Sequence, residues 1–132
     1  MPLLPKAYAY NRTRSKYLAT DLVIARTHWS RFRGLMAADR STFPPGSGLW
    51  VNPSRGIHTF AMRFPIDAIY LDRDRKVVHL EEDLKPWRVA AIRIQAASVL
   101  ELPTGTIGGS STMLGDQIDI LAEHPLHTEA AA

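Results

Sequence analysis

The sequence contains no cysteine, and this absence excludes disulfide bonds, thiol nucleophiles and thiolate metal ligands. It also lacks long hydrophobic runs, because no apolar stretch approaches the roughly 20 residues that a membrane-spanning helix requires. Residues 1–17 contain prolines and scattered charges where a signal peptide would have a continuous apolar segment. We therefore expect a cytoplasmic chain with no membrane span.

The remaining composition is that of an ordinary globular protein, with 45% hydrophobic and 22% charged residues. The length of 132 residues is sufficient for one domain with a single core. Charge is uneven, since residues 1–40 hold eight Lys or Arg and two acids, whereas residues 101–132 hold five acids and no Lys or Arg. No recognition-helix pattern or aromatic RNA motif accompanies the basic segment, so the sequence argues against nucleic-acid binding.

Short apolar segments separated by turn residues predict a mainly β protein. Strands are predicted at 18–27, 49–53, 58–72, 77–83, 96–103 and 117–123, with a turn at 73–76. A short helix is predicted at 27–39, where Trp29, Phe32 and Met36 recur at helical spacing. The glycine-rich segment 104–116 is predicted to be a loop.

These elements predict an α+β fold that is mainly antiparallel β. The expected form is a compact single domain, a partly closed barrel or sandwich, with one short helix near the N-terminal third. Residues 1–17 are predicted to be an extended basic arm, residues 18–123 a single globular domain, and residues 124–132 a frayed tail.

The segment 58–71 is mostly apolar, yet it carries an imidazole, a guanidinium and a carboxylate. In an extended strand its even positions would face the core, with His58 at the open end, while Arg63 and Asp67 would lie on the opposite face. Pro65 lacks an N–H group and would interrupt the ladder between them. We therefore predict that Arg63 and Asp67 are ion-paired at the mouth of a cleft. The alternative is a structural pair that only shields a sheet edge.

Four ordered motifs resemble those of a widespread prokaryotic family. They are SRFRGLM (30–36), HTFAMRFPIDAIYLD (58–72), VLELPTGT (99–106) and Gly-Asp (115–116). The family is catalogued as domain of unknown function 192, and the resemblance covers about residues 20–121. It implies a compact, mostly β domain and no known activity. Many members carry an export signal or a lipid anchor, which we do not expect here.

Two functions from different classes remain open. The first is a non-catalytic binding or accessory module with a cleft for a small anionic or polar ligand or a protein partner, and Arg would favour carboxylate or phosphate. Its ligand-binding candidates are Arg33, His58, Met62, Arg63, Asp67 and Glu101. The second is a small hydrolase, with His58 or Asp67 as general base and Arg63 stabilising an oxyanion. No nucleophile–base pair is readable, which favours the binding module.

No cofactor or metal is expected. The glycine-rich loop lacks the lysine of a phosphate-binding P-loop. His124 and His127 have a ligand-like spacing, but no third or fourth ligand accompanies them. The sequence carries no signal that defines an oligomeric state.

Overall fold

The computed structural model describes residues 7–25, 43–57 and 63–122, which contain eight strands and one short helix. The strands are β1 (Ala7–Asn11), β2 (Lys16–Ala19), β3 (Asp21–Ala25), β4 (Ser47–Val51), β5 (Ile66–Leu71), β6 (Val77–Leu84), β7 (Ser98–Pro103) and β8 (Ile118–Ala122). The helix α1 (Thr106–Ser110) lies between β7 and β8. The predicted fold class, a compact domain that is mainly antiparallel β, is confirmed.

The strands form two sheets, a small one in the order β2-β1-β8 and a larger one in the order β3-β4-β7-β5-β6. All these neighbours are antiparallel except β3 and β4, which are parallel. One hydrophobic cluster takes side chains from both sheets, as in a sandwich, and the described strands do not close into a barrel. Within the described ranges, no helix has the length and apolar character of a membrane span.

Strand β5 lies between β6 and β7, and all 6 of its residues are buried. Ile66, Ala68 and Tyr70 contribute to one hydrophobic cluster, whereas Ile69 and Leu71 contribute to the other. The prediction that even positions are buried is confirmed for these residues. The prediction that odd positions face away from the core is wrong, because the small sheet covers that face.

The first described residues form a hairpin, β1–β2, where the sequence predicts an extended arm over residues 1–17. Strand β1 pairs with β2 on one side and with β8 on the other, so it is the centre of the small sheet. Ala7 and Ala9 are buried in the cluster between the sheets. The arm prediction is wrong for residues 7–17, because small side chains at alternate positions let β1 pack closely against the larger sheet.

The predicted turn at 73–76 is confirmed by the β5–β6 hairpin. The predicted loop 104–116 is corrected in part, since it contains α1. Gly105 adopts a φ of 89°, a left-handed conformation that turns the chain into this helix. The predicted helix at 27–39 and the predicted tail at 124–132 lie outside the described residues.

Candidate functional site

Asp67 is a candidate site residue with well-defined surroundings. It is 1% exposed, and its two carboxylate oxygens accept hydrogen bonds from the backbone N–H groups of Asp83 and Ile107, both at 2.9 Å. Asp83 lies in β6, next to an irregularity in the β5–β6 pairing, and Ile107 lies in the first turn of α1. The carboxylate therefore joins β5, β6 and α1.

The predicted ion pair between Arg63 and Asp67 is wrong. Arg63 is exposed and precedes β5, which begins only at Ile66, so the two side chains do not share a strand face. The Asp67 carboxylate instead reaches α1 on the face covered by the small sheet. Because it is buried and already accepts two N–H groups, it is not placed to orient a guanidinium or to act as a general base.

Glu101 belongs to a row of polar side chains on the other face of the larger sheet. It is fully buried in β7 and pairs with Ala68 of β5, which pairs in turn with Glu81 of β6. Glu81 Oε1 lies 2.9 Å from Nε2 of His79. We define the polar row as Tyr70, His79, Glu81 and Glu101.

Tyr70 is a hydrogen-bond donor in the polar row. Its hydroxyl donates to the carbonyl oxygen of Ala91 at 2.6 Å, and its ring meets His79 edge-on, with 4.9 Å between centroids. Burial raises the pKa of Tyr70 to about 12, and the negative charge of Glu81 adds to this effect while Arg93 opposes it. The phenol therefore stays neutral at physiological pH and is not an activated nucleophile.

The polar row combines two carboxylates with an imidazole and a phenol on a partly buried face. Among the residues that the structure describes, no three His, Cys, Asp or Glu side chains come together as a metal site. Glu101 is the one described ligand-binding candidate in the row, and its assignment to ligand binding stays a prediction.

An open cavity of about 710 Å³ lies where β4 and β5 end and β7 begins. We call it the end cleft and define it by its lining, residues 52–55, 72–74 and 94–97. Four of its residues are basic or acidic: Arg55, Asp72, Arg73 and Asp74. The lining also includes three polar uncharged residues: Asn52, Ser54 and Gln95.

Main-chain hydrogen bonds connect the three walls of the end cleft. The Ala97 N–H donates to the carbonyl of Leu71 at 2.7 Å, and the Ser54 N–H donates to the carbonyl of Ala97 at 2.9 Å. Asp72 Oδ1 accepts the N–H groups of Asp74 and Lys76, both at 2.9 Å. The cleft is therefore held in shape by its own backbone.

The residues selected from the sequence do not line this cleft. Arg63, Asp67 and Glu101 all lie away from its walls, and Arg33, His58 and Met62 lie outside the described residues. Sequence reasoning missed the cleft because its walls come from three separate segments. The charged turn at 73–76 is the one local signal of the cleft, and its pattern predicts only a turn.

A second buried polar cluster explains the Gly-Asp motif. Asp116 accepts hydrogen bonds from the side chains of Asn11 and Arg14 and from the Met113 N–H. Burial raises the pKa of Asp116, but the hydrogen bonds from Arg14, Asn11 and Met113 outweigh this effect and lower it to about 2. Gly115 provides the positive φ of 87° that the preceding turn needs. The motif thus has a structural role.

Comparisons with known proteins agree with this architecture. Residues 9–120 match the family model DUF192, described as Uncharacterized ACR. A UPF0127 protein from Thermococcus sibiricus is 34% identical over 114 residues, which cover 83% of this chain and 71% of that protein. A UPF0127 protein from Pyrococcus furiosus is 31% identical over 114 residues, covering 83% and 94%. A solved protein of unknown function from Novosphingobium aromaticivorans shares the fold, with a TM-score of 0.71 and 19% identity, covering 87% and 83%.

Proposed function

Since this chain belongs to the DUF192 family of uncharacterised proteins, we propose a function from the geometry of the end cleft. The protein is a non-catalytic binding module, and the cleft holds a small anionic or polar ligand. One observation carries the proposal: a cleft with a fixed backbone presents two arginines, Arg55 and Arg73, to one cavity.

The size and rigidity of the cleft support ligand binding. A volume of about 710 Å³ lies within the range of small-molecule sites, roughly 300–1,000 Å³. The hydrogen bonds of Ala97 and Ser54 hold the walls together before any ligand arrives. A preformed site loses little conformational entropy on binding, so more of the contact energy appears as affinity.

The lining indicates the class of ligand. The planar guanidinium groups of Arg55 and Arg73 can each donate two parallel hydrogen bonds to a carboxylate or a phosphate. Asn52, Gln95 and Asp74 offer donors and acceptors that suit hydroxyl or amino groups of the same molecule. A small organic acid or phosphate ester with further polar groups fits this set.

No observation favours the alternative, a small hydrolase. Of its two candidate bases, Asp67 is buried and engaged by backbone N–H groups, and His58 lies outside the described residues. The binding module therefore remains the proposal.

The test is a thermal-shift screen of the full chain against small carboxylates, phosphate, sugar phosphates and nucleotides, followed by calorimetric titration of any compound that raises the Tm. Arg55→Gln and Arg73→Gln should each weaken binding of that compound by about tenfold or more, since each removes a charged donor pair. The matched control is Arg63→Gln, because Arg63 is an exposed arginine outside the cleft.

The control also separates two sites. If Arg63→Gln abolishes binding while the two cleft variants bind normally, the ligand binds at Arg63 and the proposed cleft site is wrong. If none of these compounds raises the Tm or gives a heat of binding, the proposed ligand class is wrong.

A further inference from the structure

One irregular segment, residues 85–95, exposes an unusual amount of apolar surface. Trp87 is 63% exposed, Val89 66%, Ile92 70% and Ile94 85%. We define the 87–94 patch as these four side chains. Single exposed apolar residues are common on protein surfaces, but four large ones within eight positions form a group that indicates an interaction surface.

The backbone beneath the patch is fixed. The Ala90 N–H donates to the carbonyl of Ile57 and the Arg93 N–H to the carbonyl of Arg55, both at 2.9 Å. The carbonyl of Ala91 accepts a hydrogen bond of 2.6 Å from a core hydroxyl. These bonds hold the main chain against the domain, so the fold itself keeps the apolar side chains exposed.

The charges within the segment itself are all of one sign, although Lys85 is paired with Asp83 of β6, and Asp72 and Asp74 line the cleft beside Ile94. Residues 85–100 contain three cations, Lys85, Arg88 and Arg93, and no Asp or Glu. A surface that combines apolar side chains, a tryptophan and cations is complementary to an anionic surface with an apolar interior. We propose that the 87–94 patch binds the surface of an anionic lipid bilayer.

Two features favour a bilayer over other occupants. Ile94, the most exposed member, sits in a turn with 85% of its surface exposed, and a fluid bilayer accommodates such a side chain without a matching pocket. A second copy of the chain would bring the same three cations, on a protein of net charge +3, against one another. An acidic protein remains an outcome of the test below.

Bilayer binding by the 87–94 patch is a function additional to ligand binding in the end cleft, and it does not depend on that ligand site. Ile94 also lines the end cleft, so the patch and the cleft are adjacent. On a membrane-bound molecule, the mouth of the cleft would therefore lie near the lipid headgroups.

The test is flotation of the full chain with vesicles of phosphatidylcholine alone or with about 30% phosphatidylglycerol, at roughly 0.1 M salt. The partition coefficient should be about tenfold or more higher for the vesicles that contain phosphatidylglycerol. Ile92→Ser/Ile94→Ser should lower that coefficient by about tenfold or more, because both apolar side chains are lost. The matched control is Met113→Ser/Leu114→Ser, which removes apolar side chains that are 56% and 65% exposed elsewhere on the surface.

A charge variant keeps the test independent of the apolar substitutions. Arg88→Gln/Arg93→Gln should reduce the preference for phosphatidylglycerol, whereas Lys16→Gln in β2 should not. Thermal unfolding of each variant checks that the fold is retained.

The proposal is overturned if the wild type does not float with phosphatidylglycerol vesicles, if it binds both vesicle types equally, or if the control pair loses as much binding as Ile92→Ser/Ile94→Ser. Failure to float would leave an acidic protein as the occupant of the patch.

Discussion

Arg14 and Asp116 form a two-point ion pair, in which Nε donates to Oδ2 at 2.9 Å and Nη2 donates to Oδ1 at 3.1 Å. The two residues are 102 positions apart, so the pair connects the β1–β2 hairpin to the turn before β8. Asp116 is 3% exposed, and a buried carboxylate is stable in its charged form only when donors surround it. Together with the strand pairing of β1 and β8, this charged group therefore helps to hold the small sheet together.

Asp116 should make the stability of the protein sensitive to acid. Its pKa is about 2 in the folded state, against a usual value of 3.8. A lowered pKa contributes stability that is fully present above the unfolded value and is lost as the pH falls through the folded value. The stability advantage of the wild type over Asp116→Asn should therefore be largest above about pH 5 and shrink toward about pH 2, as measured by urea unfolding.

The control for this pH dependence is Asp21→Asn, which changes an exposed acid at the start of β3. Its difference from the wild type should stay small at every pH. A gap between wild type and Asp116→Asn that does not change with pH would contradict the role of the Asp116 charge.

Asp67 should behave as a structural residue whose loss destabilises the fold. Asp67→Ala removes the acceptor for the N–H groups of Asp83 and Ile107, leaving one part-buried and one buried donor without their partner, at a cost of about 2–4 kcal/mol. Asp67→Asn keeps one carbonyl oxygen and should cost less. Urea unfolding measures both, with Asp21→Ala as the exposed control. A change below about 0.5 kcal/mol for Asp67→Ala would show that the hydrogen bonds do not hold α1 in place.

Strand β5 should be equally sensitive on its two faces. Ile66 and Ile69 are fully buried in different hydrophobic clusters, so Ile66→Ala and Ile69→Ala should each cost about 2–5 kcal/mol. Val23→Ala, at a residue that is 59% exposed in β3, is the control and should change stability by less than about 0.5 kcal/mol. If only Ile66→Ala destabilised the protein, the face toward the small sheet would not be packed as described.

Sequence patterns locate the later strands well, because each is a short apolar run bounded by turn residues. Strand β7, for example, ends at Pro103 ahead of Gly105, and β6 follows the charged turn at 73–76. The patterns fail for β1, where alanines alternate with tyrosines. Alanine carries little hydrophobic signal, and the burial of Ala7 and Ala9 depends on a second sheet that no local pattern reveals.

The candidate site was less predictable than the fold. Asp67 is recognisable as an unusual charge in an apolar segment, but its partners are backbone N–H groups 16 and 40 positions away. Backbone groups have no side-chain signature, so the sequence cannot distinguish this carboxylate from one that binds a guanidinium. The sequence does not predict the end cleft either, because its walls meet only after β4, β5 and β7 have paired.

The contact between the two sheets should depend on the missing side chain of Gly48. A Cβ atom there would lie 2.8 Å from Cβ of Ala19, 3.0 Å from Cδ1 of Leu22 and 3.1 Å from Cδ2 of Leu102. Gly48→Ala must therefore force the packed strands apart, and we expect a loss of about 1–3 kcal/mol in urea unfolding. The matched control is Gly109→Ala in α1, where an added Cβ meets nothing within 4 Å. This second change should leave the stability unchanged or raise it by up to about 1 kcal/mol, since alanine favours the helix. Equal stability of the two variants would mean that the sheets can separate at Gly48 without cost, contrary to the close packing described above.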